Sequence, residues 1–98
     1  MSQGLKTERS VGVLHFPSTL DAFQMVRLKP RLSRLLNRHP KLLLLDLAAT
    51  RSVNLAGLGM LVARLRSNPN GSLIRFSNAS PQVHRTLLRA GMNGFLDS

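Results

Sequence analysis

Apolar and polar residues repeat with a strand-like pattern in some segments of this chain and with a helix-like pattern in others. The strand-like segments are three in number. Residues 10–16 alternate as a strand does and stop at Pro17. Residues 41–47 form a short, continuously apolar run, which is typical of a central strand covered on both faces. Residues 72–76 resume a strand-like pattern after a turn rich in Asn, Pro and Gly.

Leucines at helical spacing occur between these strands and after the last of them. This spacing predicts helices within residues 19–38, 55–66 and 81–90. Pro30 disfavours helical backbone at Lys29, which allows the first regular helix to start only at Pro30. Ser80 is expected to cap the last helix, and Gly91 is expected to end it in a left-handed conformation. The order strand, helix, strand, helix, strand, helix favours right-handed crossovers and a mostly parallel sheet.

Length and composition restrict the chain to one small domain. With 98 residues, 43% of them hydrophobic and only 4% aromatic, its single core must be filled mainly by Leu, Val and Ala. The absence of cysteine excludes disulfides, thiolate metal sites and cysteine nucleophiles. The longest apolar run covers residues 42–45, far below the roughly 20 residues of a membrane span. The first ten residues do not resemble a secretory signal, so we expect a cytoplasmic protein.

Positive charge is the strongest bias of the composition. A formal net charge of +10 raises the affinity for nucleic acid, anionic lipid and acidic proteins alike. On a helix, the residues of one basic patch fall within an arc of about 60°: Arg27, Arg31, Arg34 and Arg38. The alternative is a solvated outer face opposite the leucines. The chain has no Trp or Tyr, so the usual stacking platforms for bases are missing.

No constellation of residues suggests catalysis or metal binding. The four carboxylates are scattered: Glu8, Asp21, Asp46 and Asp97. The histidines lie on separate predicted elements, and His15 is expected to be a half-buried strand residue. No phosphate-binding glycine loop or nucleophile elbow occurs. We therefore expect a protein that is not an enzyme and that carries no cofactor and no metal.

Three segments in sequence, residues 41–67, 72–76 and 80–96, resemble the STAS family, named for sulfate transporters and anti-sigma factor antagonists. Members share a strand ending in Asp-Leu, a turn close to Asp-Ser-Ser-Gly-Leu-Gly, an amphipathic helix, a strand and a closing helix. The resemblance is strongest over residues 42–65. It implies a single α/β domain over residues 1–98 with a mixed, mostly parallel sheet of four to five strands and helices mainly on one face. Residues 1–9 are expected to form a flexible arm.

The resemblance also places a regulatory position in the turn. In regulatory members, the hydroxyl just after the turn's Asp is phosphorylated by a partner kinase that doubles as an anti-sigma factor. That Asp corresponds to Asn54 here, and the acceptor corresponds to Leu55. Because leucine cannot take a phosphate, we expect no phosphorylation at Leu55 and no switch at this position. Ser52 and Thr50 are the remaining candidate hydroxyls.

The turn 51–59 is the predicted partner-binding site. Its candidate residues are Arg51, Ser52, Asn54, Leu55, Ala56, Gly57, Leu58 and Gly59. The two glycines would let a partner backbone approach, Leu55 and Leu58 would be apolar anchors, and Arg51 would steer an acidic counterpart. The alternative is that Leu55 packs inward as the first residue of the helix stripe.

Several functions are compatible with this resemblance. It implies a bacterial, non-enzymatic module resembling an anti-sigma factor antagonist, which regulates transcription by docking an anti-sigma factor or related ATP-binding regulator. A second hypothesis is an adaptor subunit that binds the ATPase of a membrane ABC-type transporter. A third is weak polyanion binding, in which the basic surface meets nucleic acid or anionic lipid. Homodimer formation stays open as well.

Overall fold

A computed structural model describes residues 11–67 and 72–96, and parallel strands alternate with helices along that part of the chain. The strands are β1 (Val11–His15), β2 (Thr19–Leu20), β3 (Leu42–Asp46), β4 (Ser52–Val53) and β5 (Leu73–Ser77). The helices are α1 (Ala22–Asn37), α2 (Leu55–Arg66) and α3 (Pro81–Arg89), and a 3₁₀ turn follows at Asn93–Phe95. The arm predicted for residues 1–9 lies outside the described residues.

The main sheet has the order β1-β3-β5, and both of its pairings are parallel. Its register aligns Leu14, Leu45 and Phe76 in one row across the three strands, and all three side chains are buried. The other face is partly open to solvent, as Val11 and Leu73 on it are 47% and 48% exposed. The helices therefore cover one face of the sheet.

The prediction of a single, mostly parallel α/β domain is confirmed, whereas the main sheet is smaller than predicted. Within the described residues it has three strands rather than four to five, and β2 and β4 pair separately as a two-stranded parallel sheet. These two-residue strands were not predicted, because no pattern of period two can show in so short a segment. The prediction that residues 41–47 are covered on both faces is also wrong, since Leu42 and Leu44 are only half-buried.

Helix α1 begins earlier than its proline suggested. Asp21 caps it, with Oδ1 accepting a hydrogen bond from the backbone N–H of Gln24 at 2.8 Å. Pro30 lies inside the continuous helix, on its exposed outer side. Proline leaves the carbonyl four residues earlier, that of Val26, without its helical donor. Because Val26 is also exposed, water can hydrate that carbonyl, and the helix continues through Pro30.

Helix α3 forms as its sequence predicted. The Ser80 hydroxyl accepts a hydrogen bond from the N–H of Val83 at 3.2 Å, and Pro81 occupies the first turn. The chain leaves the helix at Gly91, whose φ of +77° is a backbone conformation that favours glycine. Within the part of the chain that the structure describes, no helix is both long and apolar enough to cross a membrane.

The one-sided sheet generates a stability prediction for two adjacent residues of β5. Ile74 is buried against the helices, whereas Leu73 points to the open face. We expect Ile74→Ala to lower the free energy of unfolding by about 2–5 kcal/mol. Leu73→Ala should cost about 1 kcal/mol or less. Urea titration of both variants measures the difference, and equal losses would contradict the register.

Candidate functional site

The turn that precedes α2 is fastened to the loop that follows β1. The backbone N–H of Arg51 donates to the carbonyl of Ser18 at 2.8 Å, and that of Asn54 donates to the carbonyl of Leu20 at 2.8 Å. Between these two bonds, β2 pairs with β4. The backbone from residue 51 to residue 54 is therefore fixed before any partner arrives.

Asn54 is the N-cap of α2. Its Oδ1 accepts a hydrogen bond from the N–H of Ala56 at 2.8 Å, which satisfies one of the free amides at the start of the helix. An asparagine oxygen makes this bond without adding a negative charge. The start of α2 is consequently capped but electrically neutral at this residue.

Leu55, the first residue of α2, points into solvent. Its side chain is 75% exposed, so the alternative in which Leu55 packs inward is wrong. Six residues separate it from the fully buried Leu61, which corresponds to about 120° around the helix axis. Leu55 thus lies beside the apolar stripe of α2 and outside its buried part.

Gly57 and Leu58 lie inside the domain, in contrast to the prediction that they meet a partner. A Cβ atom at Gly57 would lie 2.6 Å from the Cα and carbonyl carbon of Asp21, so the backbone that approaches this glycine belongs to the chain itself. Leu58 is only 2% exposed and belongs to the core. The two residues support the turn from within, because helix α2 can lie this close to the start of α1 only without a side chain at position 57.

The rest of the predicted site is exposed and continues along α2. Exposed residues of the site are Arg51, Ser52, Asn54, Leu55, Ala56 and Gly59. Met60 and Ala63 extend this outer face, although the sequence reasoning missed them. Their spacing from Ala56, four and seven residues, was the available signal.

Two grooves flank α1. The first lies between α1 and α2, has a volume of about 340 Å³, and is lined mainly by aliphatic side chains with Lys29 and Arg64 among them. The second lies between α1 and the end of β1, measures about 440 Å³, and has Arg27 and Arg31 among its lining residues. Both are open at the surface, so neither is a closed ligand cavity.

Comparison with known proteins identifies the family of this fold. The sequence matches the STAS domain family over residues 4–97. The chain belongs to the STAS domain family. A sulfate transporter family protein from Wolinella succinogenes has a similar crystal structure, with a TM-score of 0.71 and 19% identity over 84% of this chain and 67% of that chain. No curated protein was found to match the sequence. STAS domains are generally non-catalytic modules that mediate protein–protein interactions.

Among the hydroxyls near the STAS turn, only one of the two predicted alternatives is accessible. Thr50 is buried, and its Oγ1 donates to the carbonyl of Pro17 at 2.8 Å, so it cannot be presented to a kinase in this fold. Ser52 is exposed, with its Oγ 3.3 Å from Oγ1 of Thr19. The position equivalent to the family's acceptor carries the aliphatic Leu55.

The STAS sheet also brings together a polar cluster that sequence reasoning did not assemble. Nδ1 of His15 lies 2.8 Å from Oδ2 of Asp46, and Nδ2 of Asn78 donates to Oδ1 of Asp46 at 3.0 Å. His15 is exposed rather than half-buried as predicted. Adjacent parallel strands place their ends side by side, but which residues pair there depends on the register, which the sequence pattern did not give. Within residues 11–67 and 72–96, no group of three potential metal ligands occurs.

Hydrogen bonds control the ionisation of Asp46. The amide of Asn78 and the backbone N–H of Ala48 hold the pKa of Asp46 below its ordinary value of 3.8, and His15 lowers it further, while partial desolvation opposes them. The carboxylate is therefore charged throughout the neutral range. It joins the ends of β1 and β3 to the segment after β5.

Alanine substitutions at the two glycines of the STAS turn are expected to change the stability in opposite directions. Gly57→Ala forces a methyl group against the Asp21 backbone and should cost about 1–3 kcal/mol of unfolding free energy. Gly59→Ala is the matched control, because a Cβ there meets nothing within 4 Å. Alanine favours the helix, so this control should stabilise by about 0.5–1 kcal/mol. Thermal unfolding followed by circular dichroism tests both signs, and a neutral Gly57→Ala would refute the close approach.

The Asp46 cluster generates a pH prediction. Because the pKa of Asp46 is lower in the folded than in the unfolded chain, its contribution to stability is present above the ordinary pKa and disappears as pH falls through the folded pKa. We expect the Tm of the unchanged protein to fall more steeply below pH 3.8 than that of Asp46→Asn. Scanning calorimetry from neutral to strongly acid pH makes the comparison. Parallel curves for the two proteins would contradict the assignment.

Proposed function

We propose that this STAS domain docks a protein partner through a neutral face, formed by the outer residues of the turn and of α2. The members of the neutral face are Asn54, Leu55, Ala56, Gly59, Met60 and Ala63. They are exposed and uncharged, although the whole chain carries a formal net charge of +10. This local lack of charge carries the proposal, because the centres of protein interfaces are depleted of charged residues.

The shape of the neutral face suits close contact. Ala56, Gly59 and Ala63 have small side chains or none, so a partner backbone can approach between the two larger residues, Leu55 and Met60. Leu55 is exposed enough to fill a pocket on the partner, and the flexible thioether of Met60 adapts to irregular surfaces. The backbone bonds that fix the turn reduce the entropy lost on binding.

Positive side chains border the neutral face. Arg51 precedes it, while Arg64 and Arg66 follow it toward the end of α2. A partner with acidic residues around an apolar centre would be attracted to this border, which raises the association rate more than the final affinity. The partner surface that fits best is therefore apolar in the middle and acidic at its margin.

We infer a constitutive interaction with an anti-sigma factor or a related ATP-binding regulator, in a chain with no catalytic activity. A phosphate adds a charge of about −1.5 to −2 at neutral pH, and the side chain at position 55 has no atom that could accept one. Docking would then be controlled by the amounts of the proteins rather than by modification of this residue.

A second candidate is an adaptor that binds the ATPase of a membrane transporter. The similar structure from Wolinella succinogenes belongs to a sulfate transporter family protein, which supports an association with a transporter but names no ATPase. The same neutral face would serve, because it is the surface proposed here for docking and both candidate partners are ATP-binding proteins. The two differ in the partner and in its location.

A charge placed on the neutral face tests the proposal. A photo-crosslinker at position 55 in the source cell identifies the partner, and the purified pair is then titrated. We expect Leu55→Asp to weaken binding at least about tenfold, since it buries an unpaired carboxylate in an apolar contact. Leu88→Asp is the matched control, because Leu88 is exposed on α3 outside the neutral face. Unchanged affinity for Leu55→Asp, or equal losses in both variants, would refute docking at this face.

Restoring a hydroxyl separates the two candidate partners. With the crosslinked ATP-binding protein and ATP, Leu55→Ser should become phosphorylated if the partner is a regulatory kinase, and Ser52 provides an internal reference for unspecific transfer. A transporter ATPase should leave residue 55 unmodified and should fractionate with membranes. Mass spectrometry of the purified domain gives the answer.

A further inference from the structure

The outer side of α1 presents a basic stripe that the neutral face does not use. Arg27, Arg31 and Arg34 are exposed on one side of the continuous helix, and Arg38 follows as its C-cap with helical backbone angles. The stripe is about 16 Å long from Arg27 to Arg38 at the rise of an α-helix. It is therefore a linear array of four cations on a rigid element.

Among the described residues, no carboxylate forms an ion pair with an arginine of the stripe. Helix α1 contains no acidic residue, and the only nearby carboxylate on this element, that of Asp21, is engaged as its N-cap. The carboxylate of Asp46 is paired with His15. Like charges three and four residues apart repel each other along a helix, so an external anion would relieve the repulsion.

Two large apolar side chains lie at the beginning of the same surface. Phe23 and Val26 are 65% and 62% exposed, and the guanidinium of Arg27 lies 5.8 Å from the centre of the Phe23 ring. Helical angles place Phe23 between Val26 and Arg27, on the outer side and away from the core. The outer side of α1 thus carries apolar side chains near its N-terminal end and arginines along the rest of the helix.

We propose that the outer side of α1 docks on an anionic membrane surface, with Phe23 and Val26 inserted at the headgroup boundary and the arginines bound to lipid phosphates. Clusters of basic residues on an amphipathic helix are attracted to anionic lipid, and exposed apolar residues gain by leaving water there. A nucleic-acid duplex would bind the arginines through its phosphates, but it would offer Phe23 and Val26 no apolar environment. The two apolar residues therefore favour lipid over nucleic acid.

The groove beside the stripe provides a binding site for a lipid headgroup. Arg27 and Arg31 are one helical turn apart and both line the groove of about 440 Å³ at the end of β1, together with Gln24 and His15. Two guanidinium groups and an amide can share one phosphate through several donors. This groove distinguishes Arg27 and Arg31 from cations that are merely exposed.

Vesicle sedimentation of the whole chain tests the proposal. The probes are phosphatidylcholine vesicles with and without about 30% phosphatidylglycerol, at two salt concentrations, and a duplex DNA for comparison. Arg27→Gln/Arg31→Gln/Arg34→Gln should lower the partition coefficient about a hundredfold, or about fivefold for each arginine. The matched control Arg66→Gln/Arg85→Gln/Arg89→Gln removes the same charge from exposed positions on α2 and α3 and should lose about threefold or less.

Removal of the two apolar side chains separates lipid from nucleic acid. Phe23→Ser/Val26→Ser should weaken binding to anionic vesicles about tenfold and leave affinity for the duplex unchanged. Circular dichroism verifies that both exposed substitutions leave the helix folded. Three results would each overturn the proposal: no binding to anionic vesicles at the lower salt, equal losses in the two charge-matched variants, or vesicle binding that does not depend on Phe23 and Val26. Tighter binding to the duplex through the same arginines would assign the stripe to nucleic acid instead.

Discussion

The backbone of Asp21 lies so close to Gly57 that a single methyl group at position 57 would collide with it at 2.6 Å. This approach joins the beginnings of α1 and α2, and Asp21 caps α1 at the same point. The hydrogen bonds from Arg51 and Asn54 to the preceding loop extend the junction to the turn. Because both helices start from one fixed corner, the outward direction of α2 is fixed as well, and with it the neutral face that we propose for docking.

Charge is separated between two surfaces of this small domain. The neutral face on α2 is exposed but uncharged, while the outer side of α1 carries the basic stripe. A protein interface needs the first property at its centre, and attraction to a polyanion needs the second. The separation lets a chain with a net charge of +10 offer an apolar contact without placing a cation inside it. Leu55 contributes to this separation, because it places an uncharged aliphatic side chain at the position that corresponds to the phosphorylated hydroxyl of regulatory STAS domains.

Local signals in the sequence were sufficient for several parts of the fold. The bounds of α2, the Ser80 cap, the proline in the first turn of α3 and the left-handed Gly91 all follow from residues within a few positions of each other. Periodicity and capping act over one or two helical turns, so they do not depend on distant parts of the chain. Parallel strand order followed from the alternation of strands and helices, and the STAS turn was visible as a motif.

By itself, then, the sequence determined the three longer strands and the three helices, their order, the family and the absence of an acceptor hydroxyl at Leu55. Only the tertiary structure decided which leucines of α2 are exposed to solvent. Leu55 and Leu58 belong to one apolar pattern and differ in what packs against them. The tertiary structure also decided that Gly57 receives the chain's own backbone and that His15 meets Asp46 across the sheet. Each of these facts depends on residues about thirty or more positions apart, and their separation in space is set by packing and register, which no local pattern encodes.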